Sequence, residues 1–177
     1  MCGLQKDNEK IGYEFKMQII GVIGESYPSQ EGKRLAFEVG VEIAKAKAIL
    51  ICGGLSGVME EAARGAKSQG GLTIGILPGT NRTSANPYID IPIVTGLDQA
   101  RNIIIVRSCH AIIAIEGSYG TLSEIAFCLK LNVPLIGLHT WTLQRKNHEI
   151  PPIIKVETAQ EAVNKAIKLI EQSKIFS

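Results

Sequence analysis

The sequence predicts an α/β protein, a Rossmann-like, doubly wound, mainly parallel sheet in three layers. Three features point there. Short apolar, β-rich runs alternate with stretches of helical periodicity, as in a parallel sheet covered on both faces. Two of those runs empty through glycine turns into helices, at Gly53-Gly54-Leu55-Ser56-Gly57 and at Gly117-Ser118-Tyr119-Gly120-Thr121. The length of 177 residues and the 45% hydrophobic content suit one core, so residues 17–177 are expected to form a single domain behind an N-terminal extension, 1–16.

Taken in order, residues 18–23 are the first strand and residues 30–47 the first helix. In that helix Leu35, Val39, Ile43 and Ala46 recur at three- and four-residue steps on the core side, with Glu42 at the rim. Residues 48–52 form a strand, 58–69 a helix and 72–77 a strand. The polar stretch 78–87, bracketed by prolines, has a length often found in functional loops and suits a lid. Residues 91–94 are a short strand. Residues 97–109 read as a helix with Asp98 near its cap, although Ile103-Ile104-Ile105-Val106 has strand propensity. A strand there would leave only 107–110 to turn into the next apolar run, 111–115, and would break the alternation. A helix over 121–131 and a strand over 134–138 follow. The polar segment 139–152, with Trp141, Arg145, Lys146 and His148, is expected as a surface loop. A strand at 153–156 and an amphipathic helix at 159–175 end the chain.

Charge is nearly balanced, 19 Lys plus Arg against 17 Asp plus Glu, with no block of one sign. Nucleic acid is therefore not an expected partner. No run approaches the roughly 18 apolar residues of a membrane span, and 1–16 has no apolar core of a signal peptide, so no membrane partner is expected. Cysteines 2, 52, 109 and 128 form no CxxC pair, which fits a reduced, cytoplasmic protein. Histidines 110, 139 and 148 lack companions at ligand spacing, so no metal is expected.

The turn at 117–121 is the first candidate site. Glycines 117 and 120 allow a tight turn, and the helix beyond points unpaired N–H groups and a partial positive charge at its occupant, which suits phosphate. Thr121-Leu122-Ser123-Glu124 is also a capping box, in which Thr121 caps the helix and Glu124 bonds back. Glu124 can alternatively act as an acid/base at a ribosyl centre. Arg101 opposes the dipole at the start of its helix, so it either neutralises phosphate and pairs with Glu124 or pairs with Asp98 at the surface. Gly53, Gly54, Ser56 and Gly57 are candidate ligand contacts or merely close-packing glycines. Ser26 is a phosphate contact or a helix cap. Neither a P-loop nor a GxGxxG fingerprint is complete.

Together Gly53-Gly54-Leu55-Ser56-Gly57-Val58-Met59, Arg101-Asn102 and Gly117-Ser118-Tyr119-Gly120-Thr121-Leu122-Ser123-Glu124 resemble a superfamily over residues 18–138. It includes the cytokinin-activating phosphoribohydrolases of the Lonely Guy type, long labelled lysine decarboxylases. The resemblance implies a Rossmann-like dimer that binds a nucleoside 5′-monophosphate and cleaves its N-glycosidic bond. It assigns that reaction to Arg101 and Glu124, places phosphate against Gly117, Ser118, Tyr119, Gly120 and Thr121, and requires no cofactor. Three positions depart from the enzyme motif: Glu116 stands for proline, Ser118 for the second glycine and Asn102 for lysine. These departures resemble the sister branch of molybdenum cofactor carrier proteins. The alternative function is thus non-catalytic carriage of a pterin phosphate, with molybdenum cofactor as cargo, or nucleotide sensing. Either way the expected partner is a small phosphate ligand, and the assembly a homodimer or larger.

Overall fold

In the computed structural model, residues 17–144, 146 and 151–175 are described. The expectations for 1–16, Arg145 and His148 lie outside them. Seven strands form one sheet: β1 (Ile19–Gly24), β2 (Ile49–Cys52), β3 (Thr73–Leu77), β4 (Ile91–Val94), β5 (Ala111–Ile115), β6 (Leu135–Leu138) and β7 (Ile153–Lys155). Their order is β4-β3-β2-β1-β5-β6-β7, and every neighbouring pair is parallel. The chain thus winds outward from β1 in both directions, and the order reverses between β1 and β5. Crevices at the carboxyl ends of strands open at such a point.

The helices are α1 (Gln30–Lys45), α2 (Val58–Ser68), α3 (Asn102–Ser108), α4 (Tyr119–Leu131) and α5 (Ala159–Ile175). Helices α1, α2 and α5 cover one face, closing a core around Leu35, Val39, Leu50, Ala62, Ile113 and Val163. Helices α3 and α4 cover the other around Ile23, Ile105, Ile112 and Ile125. Strand β5, Ala-Ile-Ile-Ala-Ile, is buried throughout because both its faces meet helices. Cys52, Cys109 and Cys128 lie in these cores as free thiols. Burial pushes Cys52 and Cys128 up to about 12, which makes them packing residues rather than nucleophiles.

Several local expectations are corrected. Ala46 is exposed, because α1 stops at Lys45 and Ala46 becomes its cap. The helix expected over 97–109 is a 3-10 turn, Asp98–Arg101, running into α3. Asp98 takes a left-handed φ of 51° and so cannot cap a regular helix. Residues 139–144 are the expected loop, within which Trp141 is half-buried against the α3–α4 core. The proline-bracketed loop is not a free lid. Asn86, itself buried, donates from Nδ2 to the Leu55 carbonyl at 2.8 Å, and its N–H donates to Gly54 O at 2.9 Å. Those bonds tie the loop to the glycine turn after β2.

A candidate phosphate cleft at the switch point

The β2 and β5 turns reach the same edge of the sheet. Between them lies a cleft floored by Ile23 and Gly24 of β1 and walled by Gly53, Arg101, Ser118 and Glu124. Ser26, Gly120 and Thr121 also line it. Of the other expected residues, Gly54 packs behind the turn against Gly75 and Leu77, and Gly117 packs under Thr121. The Tyr119 ring points to solvent and tilts against Trp141, centroids 6.1 Å apart. Ser56 and Gly57 border a neighbouring cavity instead. Gln99 joins the cleft without any mark in the sequence, and Met59 and Pro78, which end the glycine motif and open the polar loop, join it too, since the crossing of chain segments brings all three there.

Helix α4 begins two residues before the expected point. Gly117, at φ 115°, swings the chain round sharply enough for the helix to start at Tyr119 with Ser118 at the cap. The capping box therefore does not form: Thr121 lies inside the first turn, and Glu124 is free to serve another partner. The Ser118 side chain makes no cap hydrogen bond, so N–H groups of the first turn remain open to the cleft.

That partner is Arg101, with Nη1 3.4 Å from Glu124 Oε1; no pairing with Asp98 competes. Both residues are buried. Nη1 also donates to Asn102 Oδ1 at 2.9 Å, while Arg101 Nε has no partner among the described residues. Glycine at 53 is needed for this placement, since a Cβ there would lie 2.6 Å from the guanidinium Nη2. Burial pushes the Glu124 carboxyl up to about 7 against the pull of Arg101, and burial likewise lowers the Arg101 guanidinium. One long contact does not repay the desolvation of both charges.

Asn102 extends the link. Its Nδ2 donates to Ser123 Oγ at 3.0 Å, and Ser123 Oγ donates to Gly120 O at 2.7 Å, so a neutral bridge joins Arg101 to the first turn of α4. Replacing Asn102 by alanine is expected to cost about 1–3 kcal/mol, because it leaves buried polar atoms unpaired. Urea denaturation checks this, and an unchanged midpoint would show the bridge to be dispensable.

Glu116 would place negative charge beside phosphate if it faced the cleft. It turns away. At φ 50° its carboxylate accepts from the Ser29 N–H at 3.0 Å and from the Ser29 hydroxyl, at the N-terminus of α1, where the helix dipole favours an anion. The charge at Glu116 is thereby committed to another helix. Among the described residues no His, Cys, Asp and Glu cluster that could hold a metal ion is found, and no helix is long and apolar enough to cross a membrane.

A parallel, doubly wound sheet with a glycine-turn cleft at its switch point defines a Rossmann-like protein. Within that class the chain belongs to the SLOG cluster4 family, whose model matches residues 17–166. It is 43% identical to an uncharacterized protein of Archaeoglobus fulgidus over 157 residues, 86% of this chain and 96% of that one. A probable cytokinin riboside 5′-monophosphate phosphoribohydrolase of Oryza sativa is 31% identical over 105 residues, 55% of this chain and 46% of the rice protein. Among solved structures, the molybdenum cofactor binding protein of Rippkaea orientalis superposes with a TM-score of 0.79 at 37% identity, covering 89% of this chain and 99% of the other. The Moco carrier protein of Chlamydomonas reinhardtii gives 0.77 at 32% identity, with the same coverages.

Proposed function

We propose that this protein binds a phosphorylated small molecule in the cleft, and that the ligand is a pterin phosphate of the molybdenum cofactor class, held as cargo rather than transformed. The observation that carries this reading is the buried Arg101, with an open Nε, beside the uncapped start of α4. A cation and a helix N-terminus together favour a dianion. Similarity to cofactor-binding relatives over 99% of their length favours this cargo over the nucleotide of the rice enzyme, matched over less than half. All seven strands join one sheet, which supports reading residues 17–177 as one domain.

A second reading, hydrolysis of a nucleoside 5′-monophosphate to free base and ribose 5-phosphate, is favoured by Glu124. A buried carboxyl near pH 7 can hold a proton for a leaving base or accept one from water. One experiment separates the two. The protein is incubated with a panel of nucleoside 5′-monophosphates while ribose 5-phosphate is measured, and molybdopterin retention is assayed on the same sample. Retention without ribose 5-phosphate supports carriage; ribose 5-phosphate release supports hydrolysis; neither result would remove both readings.

The assembly proposed is at least a homodimer. Helices α3 and α4 leave Ile103, Ile104, Leu122, Phe127 and Leu129 only partly buried, and α4 is apolar around much of its circumference. A helix of that kind wants a second cover. Light scattering at micromolar concentration is expected to give at least twice the monomer mass, and a monomer would count against the interface.

A further inference from the structure

The cleft under Arg101 is too small for a whole pterin phosphate or nucleotide. Its cavity measures about 140 Å³, whereas sites for small organic ligands begin at about 300 Å³. A phosphate and its first attached atoms fill it. The rest of the ligand must lie elsewhere.

A second cavity of about 310 Å³ opens beside the first, and Ser26 lines both. The two flank the turn between β2 and α2: Gly53 and Leu55 face the cleft, while Ser56 and Gly57 face the second cavity. Tyr27, Pro28, Lys33, Glu60 and Glu61 complete its walls. The Tyr27 side chain packs against little of its own chain, being 92% exposed. Glu61 is committed to Arg64, its carboxylate 2.5 Å from Nη2. Glu60 has no hydrogen bond or ion pair among the described residues, and it lies half-buried in the first turn of α2.

We propose that the second cavity receives the heterocycle of the ligand, with Tyr27 against its flat face and the Glu60 carboxylate accepting from two adjacent N–H donors on its edge. This rests on the reading of the Arg101 cleft as the phosphate site. The Ser26 hydroxyl then stands where the linking group crosses. Two side-by-side acceptors match two side-by-side donors, and that edge belongs to a 2-amino-4-oxopyrimidine ring, shared by guanine and the pterins. Adenine presents a donor next to an acceptor and fits the carboxylate poorly. The cavity thus selects within the class of phosphorylated heterocycles.

Calorimetric titration of the full chain with guanosine 5′-monophosphate, adenosine 5′-monophosphate and inorganic phosphate tests this. The wild type is expected to prefer the guanine nucleotide about tenfold, the scale of one good bidentate pair. Glu60→Gln should erase the preference. Tyr27→Ala should weaken both nucleotides by about 5-fold or more, the scale of one lost stacking contact, and leave inorganic phosphate unchanged. Absence of the preference in the wild type, or guanine-nucleotide affinity unmoved in both variants, overturns the proposal while leaving the phosphate cleft intact. Phosphate affinity unmoved by Arg101→Ala removes the cleft reading instead, and this extension falls with it.

Discussion

Gly65→Ala is expected to destabilise the protein by on the order of 3 kcal/mol, although alanine is the better helix former. Helices α1 and α2 meet at backbone contact. A Cβ on Gly65 would overlap the Phe37 carbonyl, and a Cβ on Gly40 would overlap that of Ala62. Neither oxygen can swing aside as a side chain can, because each is held in its own helix. The helices must part, and parting them opens the core around Val39 and Ala62. The gain in propensity, about 1 kcal/mol, is too small to offset this. At roughly 2–4 °C per kcal/mol for a chain of this size, the melting temperature should fall by about 6–12 °C. Gly79→Ala is the control, since nothing lies within 4 Å of a Cβ there and φ is not left-handed. It should change stability by no more than about 0.5 kcal/mol. Equal melting temperatures for Gly65→Ala and Gly79→Ala would show that the helix crossing yields more readily than backbone contact implies.

That crossing was not legible in the sequence, and the reason is general. Gly40 and Gly65 lie within helical patterns where a glycine reads as a weakness, and its use appears only once the partner helix is in place. Strand β5 is the opposite case. Five apolar residues between turn signals leave few alternatives, and all five proved buried. The two glycine junctions were legible for the same reason, because turn chemistry and strand ends are local. The closeness of Arg101 and Glu124, 23 residues apart, was one of two alternatives, because Asp98 offered Arg101 an equally plausible local partner and only the folded chain decides between them.

The capping of α4 was misread because Thr121 and Glu124 satisfy a spacing rule that takes no account of how far Gly117 can turn the chain. The loop at 139–144 was legible from its polarity, but the cover that the Trp141 ring finds on the α3–α4 core was not. The loop before β4 looked free because prolines and polar residues mark exposure, yet Asn86 finds two carbonyl or amide partners only in the folded chain. The cavity at Tyr27 and Glu60 joins the β1–α1 loop to the first turn of α2, more than 30 residues on, and no periodicity encodes that meeting.

Arg101→Ala should weaken phosphate-ligand binding by roughly 10–100-fold, the scale of one lost charge-assisted hydrogen bond. The variant should still fold, because Glu124 need not remain a buried charge without its partner. Burial already lifts its carboxyl to about 7, and loss of the cation, the one influence holding it down, lifts it further. At neutral pH the acid is then protonated, which costs less than an unpaired carboxylate. Glu124→Gln acts in the opposite direction. Above pH 7 the ionised carboxylate competes with the ligand phosphate for Arg101, and the amide does not. Binding to the variant should therefore tighten at pH 8 and match wild type at pH 6, where Glu124 is already neutral. The ratio of the two affinities cancels the phosphate group's own titration near pH 6. Hydrolysis would leave a different mark: turnover in Glu124→Gln would fall by about 10²–10⁴ at either pH. Titration of both proteins at the two pH values, with ribose 5-phosphate assayed in parallel, checks these outcomes. Weaker binding by Glu124→Gln at pH 8 would mean that the carboxylate holds the ligand directly, and the electrostatic account of the cleft would have to be abandoned.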